Sequence, residues 1–298
     1  MTPNDHRAAQ FRARVVATFG RQSLITDGSR IRQATRRGKR GDVVVGDCVL
    51  ASATSTDQAR IESIEPRTTL LFRAGAHRVK ELAANIDQVI IVFASRPAFN
   101  RWFIWKALVA ADAAHIEPLV VRNKTDLVDA NDAILFVQQI SQLGWRTLSL
   151  SVKTEADRSR EALMREVSGR KSLLVGQSGM GKSTLLNLLL PDAQARTQEY
   201  SQRLNAGKQT TTASRWFPLD GDSALVDTPG FDEFGLAHLS LNEIAATFPE
   251  FKQLLGHCRF LDCRHLQEPG CAIRSALEDG KVATKRYDFY CSLAATRR

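Results

Sequence analysis

Residues 176–183 form a complete phosphate-binding loop with the pattern G-x-x-x-x-G-K-S. Its glycines let backbone N–H groups converge on phosphate oxygens, and the helix expected behind the loop adds the positive end of its dipole. Lys182 should reach the β- and γ-phosphates of a nucleoside triphosphate, and the hydroxyl of Ser183 should bind Mg²⁺. The residues expected to hold the nucleotide here are Gly176, Gln177, Ser178, Gly179, Met180, Gly181, Lys182, Ser183 and Thr184.

Residues 123–126 read Asn-Lys-Thr-Asp, which is the N-K-x-D pattern of guanine recognition. The carboxylate of Asp126 can accept hydrogen bonds from both the ring N–H and the amino group of guanine, whereas adenine offers the wrong pattern. A second loop, 151–154, resembles the one that closes over the base edge in GTPases. Together the two loops favour GTP over ATP, and their expected binding residues are Asn123, Lys124, Thr125, Asp126, Ser151 and Lys153.

Asp227 opens an Asp-Thr-Pro-Gly sequence that ends at Gly230. Asp227 is placed to hold Mg²⁺ through water, and the N–H of Gly230 to contact the γ-phosphate, so the segment can sense hydrolysis. The same four residues could form an ordinary turn, but the phosphate loop upstream favours the functional interpretation. Between the two motifs lies a run of three threonines, in which Thr211 or Thr212 should complete the Mg²⁺ coordination. A β-prone run in a strand is the alternative.

Cys258, Cys263, His265 and Cys271 follow the spacing C-x4-C-x-H-x5-C. Three thiolates and an imidazole make a closed tetrahedral Zn²⁺ site, which is structural and leaves no open position for chemistry. The alternative is a set of buried thiols with a surface histidine. Four soft ligands within 14 residues make that the poorer interpretation. The adjacent His257 fits the spacing less well.

The order of the nucleotide motifs is inverted. In ordinary GTPases the phosphate loop comes first, whereas here N-K-x-D at 123–126 precedes the phosphate loop at 176–183. The inversion implies a GTPase fold whose chain has been cut and rejoined elsewhere, that is, a circular permutation.

Short apolar runs alternate with helix-like segments through the middle of the chain, and the nucleotide motifs directly follow such runs. The runs are 89–93, 119–121, 148–150, 172–175 and 224–226. The helices are expected near 101–114, 131–143, 156–167 and 182–190. This alternation predicts a parallel sheet covered on both faces, with ligands at the carboxyl ends of its strands.

Residues 11–73 read as short strands that glycine-containing turns separate, with no helix between them. Strands are expected at 11–18, 43–50 and 59–65, which predicts a small barrel of OB type. Between two of the strands we expect a basic loop without acids, a common means of gripping a phosphate backbone. Its basic residues are Arg30, Arg32, Arg36, Arg37, Lys39 and Arg40.

The net charge of +9 is concentrated at the two ends of the chain. Residues 1–80 carry 15 Lys/Arg against 7 Asp/Glu, and 256–298 carry 8 against 5, while 81–255 carry 18 against 20. Basic flanking domains indicate an anionic macromolecular partner such as nucleic acid. A solvated basic surface is the alternative.

The composition, 43% hydrophobic and 24% charged over 298 residues, is typical of a globular protein of two or three domains. The longest apolar runs fall short of the ~18 residues that span a bilayer, and the first ten residues lack the apolar segment of a secretory signal. Five cysteines, three of them clustered, do not indicate a disulfide framework. These observations predict a cytoplasmic protein.

Over nearly its whole length the chain resembles the RsgA/YjeQ family of circularly permuted GTPases. The resemblance rests on the early barrel with Val45-Gly46-Asp47, the inverted nucleotide motifs, DTPGFDEFGL from 227, FPEF at 248–251 and the cysteine-rich segment. It implies an α/β fold class in three parts. These are an OB-type β-barrel at 1–80, a circularly permuted P-loop GTPase domain at 81–235 with a mostly parallel sheet between helices, and a mostly helical zinc-binding domain at 236–298.

The same resemblance implies a GTPase that acts in late maturation of the small ribosomal subunit. Such a protein binds ribosomal RNA, is stimulated by it and leaves the particle when GTP is hydrolysed. The implied cofactors are GTP/GDP, Mg²⁺ and one structural Zn²⁺. The implied partners are the small subunit and its rRNA, with a monomer expected and neither DNA nor membrane.

Two positions bear on hydrolysis. Many family members have His before the threonine run, but this chain has Gln209, so the histidine role is not carried over; a glutamine can orient water as in Ras-type enzymes. Phe231 stands where Ras-type GTPases carry a water-positioning glutamine, and an apolar side chain cannot do that. We therefore expect slow intrinsic turnover that a partner accelerates. The candidate catalytic residues are Lys182, Gln209, Thr211, Thr212, Asp227 and Gly230.

Two other functions stay open on the sequence. An RNA-binding adaptor with a passive, structural nucleotide site would keep its cellular function after Lys182→Ala. An ATPase or nucleotide kinase would prefer ATP, which Asn123 and Asp126 argue against.

Overall fold

The computed structural model describes residues 10–19, 22–36, 42–74, 79–128, 130–203, 214–229, 231 and 233–296. The elements form a β-barrel, a mostly parallel sheet between helices, and a helical C-terminal part that carries the Cys/His cluster. This is the fold class that the sequence predicts. The domain boundaries expected between residues 80 and 81 and between residues 235 and 236 stay predictions.

The N-terminal strands close into a ring. They are β1 (Gln10–Phe19), β2 (Gln22–Thr26), β3 (Ile31–Arg36), β4 (Cys48–Ala53) and β5 (Gln58–Ile64). β1 pairs with β2, β2 with β3, β3 with β5, β5 with β4, and β4 again with β1. Alternating apolar side chains fill the ring: Ala13, Val15, Ile25, Ala34, Val49, Ala51, Ala59 and Ile61. A closed five-stranded ring in this order is an OB-type barrel.

The basic segment differs from the predicted loop. Arg32 and Arg36 lie in β3, because this stretch pairs with β2 on one side and β5 on the other. Residues 37–41, with three more of the basic side chains, lie outside the described residues.

The strand expected at 43–50 begins only at Cys48. The N–H of Val44 donates to the Asp47 carboxylate (2.9 Å), and the N–H of Asp47 donates to the carbonyl of Val44 (3.2 Å). This turn buries Asp47 fully, and the guanidinium of Arg67 pairs with its carboxylate at 2.7 Å. Local side-chain hydrogen bonds therefore replace the first half of the expected strand.

A hairpin and a six-stranded sheet follow the barrel. The hairpin is β6 (Leu70–Arg73) and β7 (Lys80–Ala84). The sheet contains β8 (Gln88–Phe93), β9 (Glu117–Arg122), β10 (Arg146–Ser149), β11 (Lys171–Val175), β12 (Arg215–Pro218) and β13 (Ala224–Asp227). Its order is β10-β9-β8-β11-β13-β12, with all neighbours parallel except β12.

Helices pack on this sheet at the predicted places. They are α1 (Arg101–Ala113), α2 (Asn131–Gln142), α3 (Ala156–Val167) and α4 (Lys182–Leu189), and the structure adds α5 (Ala193–Arg203). None of the helices in the described part of the chain is long and apolar enough to cross a membrane.

The barrel and the sheet are hydrogen-bonded to each other through β12, an element that the sequence analysis did not predict. β12 pairs with β1 at Ala17 opposite Arg215, and with β13 at Arg215 opposite Asp227. One short antiparallel strand thus connects the barrel to the edge where the predicted Mg²⁺ residue lies.

The C-terminal part packs directly on α1 and shares its hydrophobic core. Its helices are α6 (Leu241–Ala246), α7 (Pro249–Lys252), α8 (Ala272–Glu278) and α9 (Thr284–Ala295). Phe289 of α9 meets Trp105 and Trp102 of α1, each at 5.5 Å between ring centroids. A continuous core resists independent movement of this part.

A buried arginine fixes the same contact. Arg286 is 1% exposed and pairs with Glu250 at 2.7 Å. Its guanidinium lies over the rings of Phe248 (4.4 Å), Trp105 (5.3 Å) and Trp145 (5.4 Å). Trp105 lies in α1 and Trp145 directly precedes β10. The guanidinium of Arg286 therefore joins the C-terminal helices to the central sheet and the helix that packs on it.

Arg286→Ala should lower the free energy of unfolding by about 3–5 kcal/mol, because it leaves the buried Glu250 carboxylate without its partner. Urea denaturation measures the loss. Arg165→Ala is the matched control, since Arg165 pairs with Glu161 on the exposed surface of α3 and should cost less than about 1 kcal/mol. Equal effects of the two substitutions would contradict the role given to Arg286.

Candidate functional site

Four loops meet at one edge of the central sheet. They follow the parallel strands β9, β10, β11 and β13, whose carboxyl ends are where sheets of this kind bind ligands. The loops after β10 and β9 carry Ser151 and Asn123. The phosphate loop follows β11, and Asp227 ends β13. The predicted base-binding residues therefore lie at one end of this edge and Asp227 at the other.

A cleft of about 540 Å³ lies between the base loops and the phosphate loop, within the size range of small-molecule sites. Several residues that the sequence singled out line it together: Asn123, Lys124, Asp126, Lys153, Gly181 and Thr184. The inverted motif order therefore still brings the two motifs together.

Asn123 joins the loops around this cleft. Its side chain is buried, and its Nδ2 donates to the carbonyl of Met180 at 3.1 Å. Its Oδ1 accepts from the N–H of Val152 at 3.5 Å, and its backbone N–H donates to the carbonyl of Phe93 at 2.8 Å. The structure thus gives Asn123 a bridging role between the base loops and the phosphate loop.

Lys124 and Asp126 are held on either side of the space for a base. Lys124, in a left-handed conformation, donates from Nζ to the carbonyls of Gly179 (2.7 Å) and Arg96 (3.0 Å). Ser151 Oγ donates to Asp126 Oδ1 at 2.6 Å, and this hydrogen bond holds the pKa of Asp126 below its usual value. Asp126 is therefore an ionised acceptor at neutral pH. The N–H of the neighbouring Thr125 donates to the carbonyl of Leu150.

Gly181 can only be glycine in this arrangement. Its φ is +98°, and a Cβ would lie 2.2 Å from Nδ2 of Asn123. Elsewhere in the loop, Met180 is buried, while Ser178, Ser183 and Thr184 are exposed at its rim. The Gln177 side chain accepts from the N–H of Asn100 at 2.8 Å, which ties the loop to the start of α1.

Lys182 and Asp227 form the charged centre of the phosphate end. The ammonium of Lys182 donates to the carbonyls of Gly176 and Gln177, and burial lowers the pKa of Lys182. Burial raises the pKa of Asp227, and the nearby charges of Lys182 and Arg215 oppose that rise. Leu174 of β11 is in register with Asp227 of β13. The phosphate loop, which follows β11, therefore begins at the same edge of the sheet at which Asp227 lies.

The residues at this end fit a hard divalent cation. Mg²⁺ prefers oxygen ligands, and the exposed Ser183 hydroxyl and the half-buried Asp227 carboxylate supply them. The buried hydroxyl of Thr228, next to Asp227, has no hydrogen-bond partner among the described residues. The Ser183 hydroxyl and the Asp227 carboxylate are therefore the oxygen ligands that the described residues offer at this end of the site.

Four of the predicted catalytic residues, Gln209, Thr211, Thr212 and Gly230, lie outside the described residues. Phe231 is described. Its ring packs against Phe234 at 4.6 Å and Phe103 at 6.3 Å between centroids. A ring held in apolar contacts cannot orient a water molecule.

The four predicted zinc ligands converge. The ligand atoms of Cys258, Cys263, His265 and Cys271 all lie within 4.8 Å of one another. Nδ1 of His265 is 3.5 Å from Cys258 Sγ and 3.6 Å from Cys271 Sγ, and these two sulfurs are 3.9 Å apart. Zinc bonds of about 2.0–2.3 Å in a tetrahedron place ligand atoms about 3.5–3.8 Å apart. The cluster therefore has the size that one Zn²⁺ requires.

The surroundings of the cluster position its backbone. Tyr287 Oη donates to the carbonyl of His265 (2.8 Å), and Tyr290 Oη to that of Arg264 (2.9 Å). Burial raises the pKa of the Cys263 thiol to about 12 and lowers the pKa of His265. Without an ion the thiol is protonated, so metal binding must displace its proton.

The predicted site residues leave out four residues that line the nucleotide cleft: Leu127 and Val152, which lie within or next to the predicted base loops, and Arg96 and Pro97, which do not. Arg96 and Pro97 follow β8, which lies between the strands of the two motifs. The sequence did contain a sign of them, because Ala-Ser-Arg-Pro directly follows the predicted strand 89–93 and so belongs to a carboxyl-end loop.

Comparisons with known proteins place the chain among GTPases. A family model described as RsgA GTPase matches residues 64–237. A protein of Paraburkholderia phymatum named small ribosomal subunit biogenesis GTPase RsgA is 45% identical over 98% of this chain and 93% of its own length. A protein of the same name from Burkholderia pseudomallei is 46% identical over 94% and 90%.

Solved structures with a similar fold point to the same family. YjeQ from Thermotoga maritima has a TM-score of 0.70 at 28% identity, covering 96% of this chain and 97% of that one. YloQ, described as a circularly permuted GTPase, shows the same fold with a TM-score of 0.69 at 24% identity, covering 99% and 97%. With a family model over more than half of its residues and relatives this similar over nearly all of them, the chain belongs to the RsgA family of GTPases.

Proposed function

We propose that this GTPase is a late assembly factor of the small ribosomal subunit, which it binds through ribosomal RNA and leaves when GTP is hydrolysed. As a member of the RsgA family the chain hydrolyses GTP and uses guanine nucleotide with Mg²⁺. The relatives named above are small ribosomal subunit biogenesis GTPases. Similarity over nearly the full length supports the same particle as partner here.

The observation that carries the enzymatic part of the proposal is the junction at Asn123. One buried amide connects the guanine loop to the phosphate loop. A passive nucleotide site has no need to align a base-reading carboxylate, a phosphate-binding ammonium and the Asp227 carboxylate at one edge.

Each residue has a role in binding. Asp126 accepts from guanine, the phosphate loop donates backbone N–H groups, and Lys182 neutralises the β- and γ-phosphates. Ser183, Asp227 and Thr211 or Thr212 would hold Mg²⁺, which when bound offsets the charge on the transferred phosphoryl group.

Hydrolysis needs a group that orients water, and Phe231 is not that group. We assign the task to Gln209, whose amide can donate to and accept from water. The Gly230 N–H would contact the γ-phosphate and lose that contact after hydrolysis. We expect slow turnover without a partner, because the apolar Phe231 stands where Ras-type GTPases carry their water-positioning glutamine.

The segment that leaves Asp227 offers a route from nucleotide state to particle binding. Beyond Phe231 it pairs with β6, since the N–H of Ala74 donates to the Glu233 carbonyl (3.0 Å) and the N–H of Gly235 donates to the Phe72 carbonyl (2.9 Å). It then enters α6 and the C-terminal part. Loss of the γ-phosphate would therefore act on the hairpin and on the zinc-binding part together.

The basic barrel is the proposed site of rRNA contact, through a phosphate-directed and salt-sensitive attraction. The place of action would be the cytoplasm, where bacterial ribosomal subunits assemble. Action as a monomer and lack of DNA binding stay predictions.

Lys182→Ala should reduce GTP hydrolysis at least ~100-fold, because it removes the cation that stabilises the developing phosphate charge. Sedimentation of the variant with small subunits and GTP should show prolonged retention on the particle. Lys171→Ala is the matched control, since Lys171 begins β11, the strand that leads into the phosphate loop, and lies at the opposite edge of the sheet. Normal hydrolysis and release in the Lys182 variant would instead favour the adaptor function.

Asp126→Asn should weaken GTP binding by about 100-fold, because two hydrogen bonds to a charged acceptor are lost. Xanthosine triphosphate should bind the variant better than GTP does, since its base carries an oxygen where guanine has the amino group. Competition against a fluorescent nucleotide measures both affinities. Asp132→Asn, on the exposed start of α2, should change neither; an unaltered GTP affinity in the Asp126 variant would refute the assigned role.

Cys263→Ser should lower bound zinc from one ion per chain to well below one, because a closed tetrahedral site needs all four ligands. His257→Ala should keep the full ion, as His257 is outside the cluster. Metal analysis of the purified variants measures the bound zinc, and thermal unfolding measures their stability. Loss of zinc from His257→Ala would show that the proposed ligand set, with His265 as its histidine, is wrong.

A further inference from the structure

A second cleft, of about 580 Å³, lies between the barrel and α5. One wall is the turn between β2 and β3, the other is α5, and Trp216 of β12 contributes to the floor. We propose that this cleft binds the phosphodiester backbone of ribosomal RNA through Arg30, Arg196 and Arg203. The inference rests on the proposed function for the identity of the RNA. The site is built by the barrel, α5 and β12 together, so the barrel alone does not form it.

The turn between β2 and β3 presents the side chain of Arg30 to solvent. Asp27, the acid of the turn, accepts from the N–H groups of Ser29 and Arg30 and from the guanidinium of Arg32. These contacts hold the pKa of Asp27 well below its usual range, with Arg32 as the main cause. Arg30 itself is exposed and forms no ion pair within the described part of the chain. Its guanidinium is therefore available to a phosphate.

Helix α5 supplies the facing cations. Arg196 and Arg203 are seven residues apart, two turns or about 10 Å along the same face. Arg196 donates to the carbonyl of Pro218 at 3.3 Å, and among the described residues it has no carboxylate partner. Arg203 pairs with Glu199 at 3.0 Å and donates to the carbonyl of Ile31 at 3.1 Å, which holds α5 against the barrel.

The charges of the cleft favour a strand of phosphates over a single anion. Two acids, Asp57 and Glu199, also line it, and Arg203 neutralises the second. Arg30 on one wall and Arg196 on the other have no carboxylate partner among the described residues, and Asp57 is the remaining acid of the lining. Because these two arginines lie on opposite walls, successive phosphates of a nucleic acid strand can contact both.

The floor is rigid. Tyr200 is buried, stacks on Phe217 with 18° between the rings, and donates from Oη to the carbonyl of Trp216 at 3.3 Å. The guanidinium of Arg14 lies 4.8 Å from the Trp216 ring on the barrel side. A fixed aromatic floor holds α5 and β12 together, so only the arginine side chains themselves must be ordered on binding.

The position of the cleft would link RNA binding to GTP hydrolysis. Its walls include α5 and β12, the two elements that adjoin residues 204–213 in the chain. That stretch contains Gln209, Thr211 and Thr212. Arg215, beside Trp216, is paired with Ala17 of the barrel and with Asp227. RNA in the cleft would therefore contact the elements next to the predicted hydrolytic residues.

The test is RNA binding by an Arg30→Ala/Arg196→Ala double variant of the full chain. Arg203 is left in place because it attaches α5 to the barrel. A fluorescein-labelled 12-nucleotide oligouridylate, followed by anisotropy across a salt series, should bind about tenfold more weakly, with a salt slope reduced by about 1–2. Arg158→Ala/Arg165→Ala, on the exposed face of α3, is the matched control and should bind as the unmodified chain does. Thermal unfolding checks that both variants fold.

A second measurement separates this site from the proposed function. With purified small subunits, the ratio of stimulated to unstimulated GTPase rate should fall about tenfold in the double variant. Unchanged RNA affinity would overturn the inference, and so would an unchanged ratio if subunits do stimulate the unmodified chain. If subunits fail to stimulate the unmodified chain while the double variant still loses RNA binding, the proposed function falls and the cleft stands as an RNA site.

Discussion

The amide of Asn123 is the contact on which the nucleotide site depends. It bonds to the carbonyl of Met180 and to the N–H of Val152, so three loops from different parts of the chain take fixed positions around one cleft. The same amide leaves no room for a side chain at position 181. Because parallel strands end at a common edge, this contact survives the inversion of motif order: a circular permutation changes the connections between strands and leaves their neighbours in place.

The permutation also decides what lies on each side of the site. The chain enters the sheet from the barrel and leaves it beyond Asp227, so the Mg²⁺ end of the site adjoins both flanking parts. β12 pairs with the barrel at Ala17, and the segment around Glu233 pairs with β6. The C-terminal part is attached more firmly, through a shared core and the buried Arg286. Movements linked to hydrolysis are therefore more easily accommodated by single strands and loops than by that core.

Much of this could be predicted because the signals are local. The strand–loop–helix context defined the phosphate loop, and the Cys/His spacing named the four residues that converge in space. The sequence did not reveal α5 or β12, since α5 is polar and β12 is only four residues long. Nor could it place Arg32 and Arg36 on a strand, because β3 is fixed by pairing with distant β5. The bridging role of Asn123 depends on a contact across 57 residues, which spacing cannot show.

The most direct test of the account is the GTPase rate of the unmodified chain with and without purified small ribosomal subunits, at about 50 mM and about 200 mM salt. The account predicts slow hydrolysis alone, strong stimulation by subunits at low salt, and a steep loss of that stimulation at the higher salt, because RNA phosphates supply the attraction. A rate that subunits leave unchanged at both salt concentrations would contradict it.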